Sequence, residues 1–371
     1  MRVSLVASGR DEDCGINTYT TALESELDDE VEGLERIGLK SHSTDMMHYL
    51  KQGIAAARSD ADIIHIQHEY GVFGPKSVGS WLFMIPLVLG RIISDKTIII
   101  TMHNSWNEHT PTPPLRLIKI LYINANNKIL EMLADKFIFL TEDCAEEFAV
   151  SVPNIEPEII KHGVPTSGSD FSKEEAKDEF GIRPEKRLIV EPGYVREAKG
   201  HHLFVEIAKE LPDHEFLIAG GPRTSSTKPY FEKIKSNAPE NVTVTGVLDD
   251  ETFQRAFAAA DLCLLPYSKA SQSGIVNWAV RYELPIVGSE IGYFEDLAAT
   301  NEFIRTLDID SEAAPDWISE LLEDEETLEA MRDDAKEYYK KNNMREVAKQ
   351  HRSIYENAIN AKNRKQAKRR I

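Results

Sequence analysis

The sequence predicts an α/β protein of two doubly wound parallel-sheet domains that face each other across a cleft and are followed by C-terminal helices. Three observations predict it. Short runs rich in β-branched and aromatic residues alternate with helical patterns over most of the chain, as the strands of a parallel sheet alternate with crossover helices. The alternation pauses once, in a stretch of Gly, Pro and Ser near the middle, and then restarts. From Ser311 onward only helical patterns remain.

The first strands are Val3–Ala7, Ile63–Ile66, Thr97–Met102 and Lys136–Leu140, each short and apolar enough to be buried on both faces. Helical patterns at Thr18–Leu27, Thr44–Arg58 and Leu115–Ala134 lie between them. His162-Gly163-Val164-Pro165-Thr166-Ser167-Gly168-Ser169 reads as a linker and sets the domains at 1–165 and 166–342. In the second domain Arg187–Val190, Glu215–Ala219, Val242–Val244, Leu262–Leu265 and Pro285–Val287 are strands. Helices at Lys199–Leu211, Lys228–Ser236, Asp250–Ala259 and Gly274–Tyr282 intervene. Ala314–Leu322, Glu325–Lys341 and Arg345–Ala358 end the pattern, and the helix in 343–360 is a candidate to pack back on the first domain. Residues 361–371 form a basic tail.

A chain of 371 residues is long enough for two cores. Its longest apolar run, Trp81–Gly90, contains Pro86 and is too short to span a bilayer. Arg2-Val3-Ser4-Leu5-Val6-Ala7 leads directly into a polar loop, so no signal peptide is expected. Cys14, Cys144 and Cys263 are widely spaced and form no CxxC, which fits a reduced cytoplasmic location. A net charge of −19 argues against a nucleic-acid partner, because phosphate neutralisation needs a basic face. Lys362, Arg364, Lys365, Lys368, Arg369 and Arg370 run against that charge. Two readings of them stay open: a solvated tail, and a weak peripheral contact with anionic lipid at the cytoplasmic face of a membrane.

Ligands of such sheets bind beyond the carboxyl ends of the strands, so the residues there are the candidates for chemistry. After the first strand comes Gly9-Arg10-Asp11-Glu12-Asp13-Cys14-Gly15-Ile16-Asn17-Thr18, in which Gly15 lets backbone approach a bound group. It is not GxGxxG, which leaves a nicotinamide dehydrogenase a distant reading. His65-Ile66-Gln67-His68-Glu69-Tyr70 ends the second predicted strand. Residues three apart on a strand face opposite ways, so His65 and His68 do not suit one metal ion. His68, Glu69 and Tyr70 would instead be delivered to the cleft. His103 directly follows a buried strand and stands at the ligand end of the sheet.

In the second domain, Glu191-Pro192-Gly193-Tyr194-Val195-Arg196-Glu197-Ala198-Lys199-Gly200 places two cations at a strand-to-helix turn. Arg supplies a fork and Lys a point charge for a diphosphate. Gly220 and Gly221 follow the next strand, and Val247 lies just beyond the one after. Ser271-Gln272-Ser273-Gly274 opens a helix, where free backbone N–H groups favour a phosphate.

These runs, in this order, resemble the retaining glycosyltransferases of GT-B type, family four (group 1), from Val3 to about Asn360. The resemblance implies two Rossmann-like domains and no cofactor. It also implies transfer of a sugar from a nucleotide diphosphate sugar to an acceptor hydroxyl on a glycan, a lipid-linked or a small molecule. It implies catalytic roles for His103 near the reacting carbon and for Arg196 and Lys199 on the diphosphate. Donor contacts fall to Gly15, Gly220, Gly221, Val247, Ser271, Gln272, Ser273, Gly274, Asn277 and Glu295, and the acceptor side to His68, Glu69 and Tyr70. The chain departs from the family at Ala270 and Trp278, where most relatives carry Glu. Asn277, Glu290 and Glu295 are the candidate substitutes. A catalytically silent binder of a nucleotide sugar or partner, and a nucleotide-sugar epimerase of the same fold, are the competing readings.

Overall fold

The computed structural model describes residues 1–12, 14–93, 96–270 and 272–369. The chain divides into two compact units, Met1–Gly163 with Met344–Ile371, and Val164–Asn343. Each is a parallel sheet of six strands with flanking helices.

Unit 1 contains β1 (Arg2–Ser8), β2 (Gly33–Leu39), β3 (Ile63–His68), β4 (Thr97–Met102), β5 (Lys136–Phe139) and β6 (Pro157–Ile159), in the order β2-β1-β3-β4-β5-β6. The central strands are buried on both faces. Val6, Ile64, Ile66, Ile98 and Ile100 enter one core, while Val3, Leu5, Ile63, Ile99 and Ile138 enter the other. The long helix Met344–Arg369 closes that second core with Met344, Val347, Tyr355 and Ala358. It continues through positions read from sequence as a tail, because 345–369 contains no Gly or Pro to stop it. Arg370 lies outside the described residues.

Unit 2 contains β7 (Leu188–Pro192), β8 (Glu215–Ala219), β9 (Val242–Val244), β10 (Leu262–Leu265), β11 (Ile286–Ser289) and β12 (Ile304–Leu307), in the order β12-β11-β10-β7-β8-β9. Its two ends are neighbours: the Val164 N–H donates to the Asn342 carbonyl at 2.8 Å, and Val164 forms a parallel bridge with Asn343.

Four of the elements that the sequence pattern misses show why it does. β2 mixes Gly33, Glu35, Arg36 and Gly38 into an edge position, and β6 has only three residues. β12 lies at the other sheet's edge with Arg305 exposed. The helix Val78–Ile93 carries Pro86 inside it, which breaks the apolar run on which a helix would be read. Among the described residues no helix is long and apolar enough to cross a membrane.

Candidate functional site

In each sheet the strand order reverses direction once, and the crevice at that point opens at the carboxyl ends of the two strands beside it. In unit 2 the reversal falls between β7 and β10. Lys199 stands in the loop after β7, and the turn into the helix Gly274–Arg281 follows β10.

These loops are tied to one another through backbone. Gly193 N–H donates to the Ala219 carbonyl and Val195 N–H to the Gly221 carbonyl, each at 2.9 Å. Ser268 N–H reaches the Ala198 carbonyl at 3.0 Å. Such close approach leaves no room for side chains. A Cβ on Gly220 would stand 2.0 Å from the Gly193 carbonyl oxygen, and one on Gly221 2.6 Å from the Val247 nitrogen. Gly200, at φ 74°, would place a Cβ 1.8 Å from the Pro266 oxygen. The glycines after β8 therefore let loop meet loop, whereas from sequence they suggested backbone meeting ligand.

Lys199 is threaded into this packing. It is 8% exposed, with Nζ donating to the Pro192 carbonyl at 3.2 Å and lying 5.3 Å from the centre of the Tyr267 ring. A Cβ on Gly193 would come within 2.5 Å of that Nζ, so the glycine makes room for the ammonium. Burial lowers the Lys199 pKa to about 8, against the opposing pull of Glu191. Glu191 ends inside the sheet, 3.3 Å from His201, and both are fully buried. Burial raises the Glu191 carboxyl well above its usual range, and it lowers His201 to about 3, which keeps the imidazole neutral at pH 7. Below about pH 8 Lys199 brings a positive charge into this cluster. Arg196, three residues earlier, is exposed.

Ser273 precedes the helix Gly274–Arg281 without a capping side-chain hydrogen bond among the described residues, and a Cβ on Gly274 would meet nothing within 4 Å. Ser271 lies outside the described residues. Gln272 is half-buried and Asn277 is buried, while Val247 and Glu295 are exposed beyond β9 and β11. Trp278 packs with Phe257 and Tyr282, ring centres 6.5 and 6.4 Å away.

In unit 1 the reversal lies between β1 and β3. The loop after β1 leads into the helix Gly15–Leu27, and a Cβ on Gly15 would meet nothing within 4 Å. The start of that loop, Gly9 to Asp11, lines a cavity of about 310 Å³ together with Arg36, Lys40 and His48, among others. β3 and β4 deliver side chains that are mostly enclosed. His68 is fully buried between Tyr70 and Phe73, and among the described residues neither of its ring nitrogens has a hydrogen-bond partner. Tyr70 is buried as well. It stacks on Trp106 at 4.1 Å and donates to Asn127 Oδ1 at 2.7 Å. Of the three predicted acceptor-side residues, only Glu69 reaches the surface, accepting from Asn104 at 3.4 Å.

His103 is 9% exposed, with Tyr19 edge-on at 5.1 Å. Its Nε2 lies 2.8 Å from Gln67 Oε1, and the Gln67 amide nitrogen lies 3.2 Å from His65 Nε2. His65 in turn meets Thr101 Oγ1 at 2.7 Å and, through Nδ1, the Tyr355 hydroxyl at 2.6 Å. An amide oxygen only accepts, so in this arrangement the His103 proton sits on Nε2. Burial lowers the His103 pKa to about 3, which keeps the ring neutral. Gln67, Glu191 and His201 are the residues sequence reasoning passed over. Their signal was a polar residue inside an otherwise apolar strand or at a helix start.

Solved structures share this two-sheet architecture over nearly the whole chain. Sucrose-phosphate synthase from Thermosynechococcus elongatus superposes with a TM-score of 0.71, covering 97% of this chain and 100% of that one at 15% identity. Anabaena HepE, crystallised with UDP and glucose, gives 0.69 over 96% and 100% at 13% identity. The fold is therefore GT-B. Residues 172–338 match the sequence profile of the glycosyl transferases group 1, and this second domain belongs to that family. The processive diacylglycerol alpha-glucosyltransferase of Acholeplasma laidlawii is 23% identical over 140 residues, 37% of this chain and 42% of that protein. The chain thus spans less than half the length of this curated relative.

Proposed function

We propose that this protein is a retaining glycosyltransferase, moving a sugar from a nucleotide diphosphate sugar to an acceptor hydroxyl without a metal. One observation carries the reading: a buried ammonium, Lys199, held at the strand-order reversal of unit 2, beside the strand β10 that leads to a helix starting at Gly274. Charge builds on the leaving diphosphate as the glycosidic bond to it breaks. A fixed cation and unpaired N–H groups stabilise that charge without reorganising. Arg196, exposed beside Lys199, supplies a second cation that can fork to phosphate oxygens.

In a front-face route the anomeric carbon–oxygen bond to phosphate breaks while the acceptor oxygen bonds to the same face of that carbon. The acceptor proton passes to the leaving phosphate oxygen. This route asks for no carboxylate nucleophile, and the neutral His103 is suited to donate its Nε2 proton to a sugar oxygen in place of Gln67. The acceptor falls to unit 1, where Glu69 and the cavity lined by Arg10, Arg36 and Lys40 present polar and cationic groups. The curated relative named for diacylglycerol makes a lipid hydroxyl the first acceptor to try, and the neighbour crystallised with UDP makes uridine the first base.

The test is a thermal-shift panel of nucleoside diphosphates and nucleotide sugars, followed by product analysis with lipid, glycan and small acceptors. A specific shift with one base and a new α-linked product are expected. No shift with any nucleoside diphosphate would overturn the reading. Ala270, and Trp278 within its aromatic cluster, favour a second reading, a silent binder. It predicts the shift with neither transfer nor donor hydrolysis.

A further inference from the structure

Unit 1 carries an outward face that the sugar chemistry does not use. The helix Arg116–Leu133 buries Ile123, Asn126, Asn127, Leu130 and Leu133. A surface helix ordinarily sets charge opposite its buried side. Here the opposite side is also largely apolar. Ile118, Leu121, Ala125, Lys128 and Met132 are exposed and recur every three or four positions along the whole helix. Leu115 and Leu117 widen the stripe at its start, Leu117 being 76% exposed. The helix Val78–Ile93 adds exposed Val78, Ile85 and Leu89, and its Trp81 stacks on Tyr122 of the first helix at 5.9 Å. The two apolar stripes thus belong to one packed pair.

The charge of this pair is opposite to that of the chain. Asp and Glu fill 62 of 371 positions, yet none falls within 70–93 or 109–130, and the two helices contain only one, Glu131. Lys76, Arg91, Arg116, Lys119 and Lys128 fall within those stretches. Arg91 pairs with Asp135 and Lys128 with Glu131, but Arg116 and Lys119 donate to the backbone carbonyls of Glu108 and Thr112, and among the described residues no carboxylate pairs with either. Exposed aliphatic side chains beside cations are what an anionic bilayer surface receives, the apolar part entering the headgroup boundary and the cations meeting phosphate.

We propose that this two-helix face docks unit 1 on an anionic lipid surface, through Leu117, Ile118 and Leu121 with Arg116 and Lys119. The contact is separate from the basic tail and would hold whatever sugar or acceptor the protein uses.

The full chain is sedimented with vesicles of phosphatidylglycerol and phosphatidylcholine, and with phosphatidylcholine alone. At least tenfold stronger partition to the anionic vesicles is expected, weakening in about 0.5 M salt. Each basic residue near such a surface multiplies affinity about fivefold. The triple variant Leu117→Ser, Ile118→Ser, Leu121→Ser and the double variant Arg116→Glu, Lys119→Glu should each lose tenfold or more. All five positions are exposed, so an unchanged melting temperature and unchanged nucleotide binding accompany the loss. Equal binding of the triple variant, or loss only when residues 361–371 are deleted, overturns the proposal. So does absence of vesicle binding alongside a dimer that the triple variant abolishes, which would make the occupant a second copy.

Discussion

The two units build the loops at their strand ends from different materials. Unit 2 uses backbone: glycines at 193, 200, 220 and 221 let four loops press together around one buried ammonium. Unit 1 uses side chains: buried His65, Gln67, His68 and His103 line the ends of β3 and β4, and the network reaches Tyr355 on the last helix. A backbone-built site tolerates almost no substitution at its glycines but asks little of protonation. A side-chain-built site holds its groups in one charge state by burial, and so depends on pH for its stability.

The sharpest way to break this contrast is to remove the ammonium. Lys199→Met should lower kcat/KM by about 10²–10³-fold without lowering the melting temperature, since it removes a buried charge at similar volume. Retention of activity would leave the unit 2 loops without their centre. In the native protein the same group sets a pH dependence. Burial favours the neutral amine, so the cation exists below about 8. Affinity for a nucleoside diphosphate should be flat to pH 7.5 or so and weaken toward tenfold per unit above 8, as calorimetry would read.

Glycine substitutions sharpen the comparison next. Gly220→Ala drives a methyl into the Gly193 carbonyl and should cost about 1–3 kcal/mol of stability. Gly15→Ala points into open space and should leave the melting temperature unchanged. Equal denaturation midpoints for the two variants would remove the distinction.

Acid should separate the units by their histidines. In unit 1 burial holds His68 and His103 near 3, His162 and His351 near 4, and His65 well below its ordinary value. Unit 2 has His201 in that state. The unfolded chain takes up protons below pH 6.5 while these folded rings stay neutral. Stability is therefore lost as pH falls from 6.5 toward 4, each ring contributing about 1.4 kcal/mol per pH unit. Unit 1 is expected to unfold at the higher pH, followed by the fluorescence of Trp81 and Trp106 against Trp278 and Trp317 in paired-Trp variants. The smallest effect belongs to Gln67, which positions His103. Gln67→Leu should lower kcat about tenfold with donor KM unchanged, and Gln67→Glu should bring a new ionisation into the rate profile near neutrality. A rate and profile like those of the native protein would make the bond to His103 incidental.

The alternation of strands and helices was legible because doubly buried strands such as Thr97–Met102 contain little but β-branched and apolar residues. Edge strands were not: β2 holds Glu35 and Arg36 in a network with Ser4, Glu24 and Ser8 that no local pattern records. The Arg196–Lys199 loop could be read because charge and glycine at fixed spacing survive in one short run. Glu191 and His201 flank that run, yet their pairing depends on burial, which sequence does not display. Tyr355 lies 290 positions from His65, and only the fold brings them together. Trp278 was read as a missing carboxylate, and its place among Phe257 and Tyr282 shows what the ring does instead.

The chain leaves unit 1 after Gly163 and re-enters it at Met344, and Val164 and Asn343 are bridged where it does so. Residues 164–343 are therefore a cassette with its two ends clasped together. Exchanging it requires two junctions far apart in the gene but adjacent in space, and leaves the first sheet and its closing helix intact. Under the proposed function, that arrangement lets the choice of sugar donor be inherited, or engineered, separately from the choice of what receives the sugar.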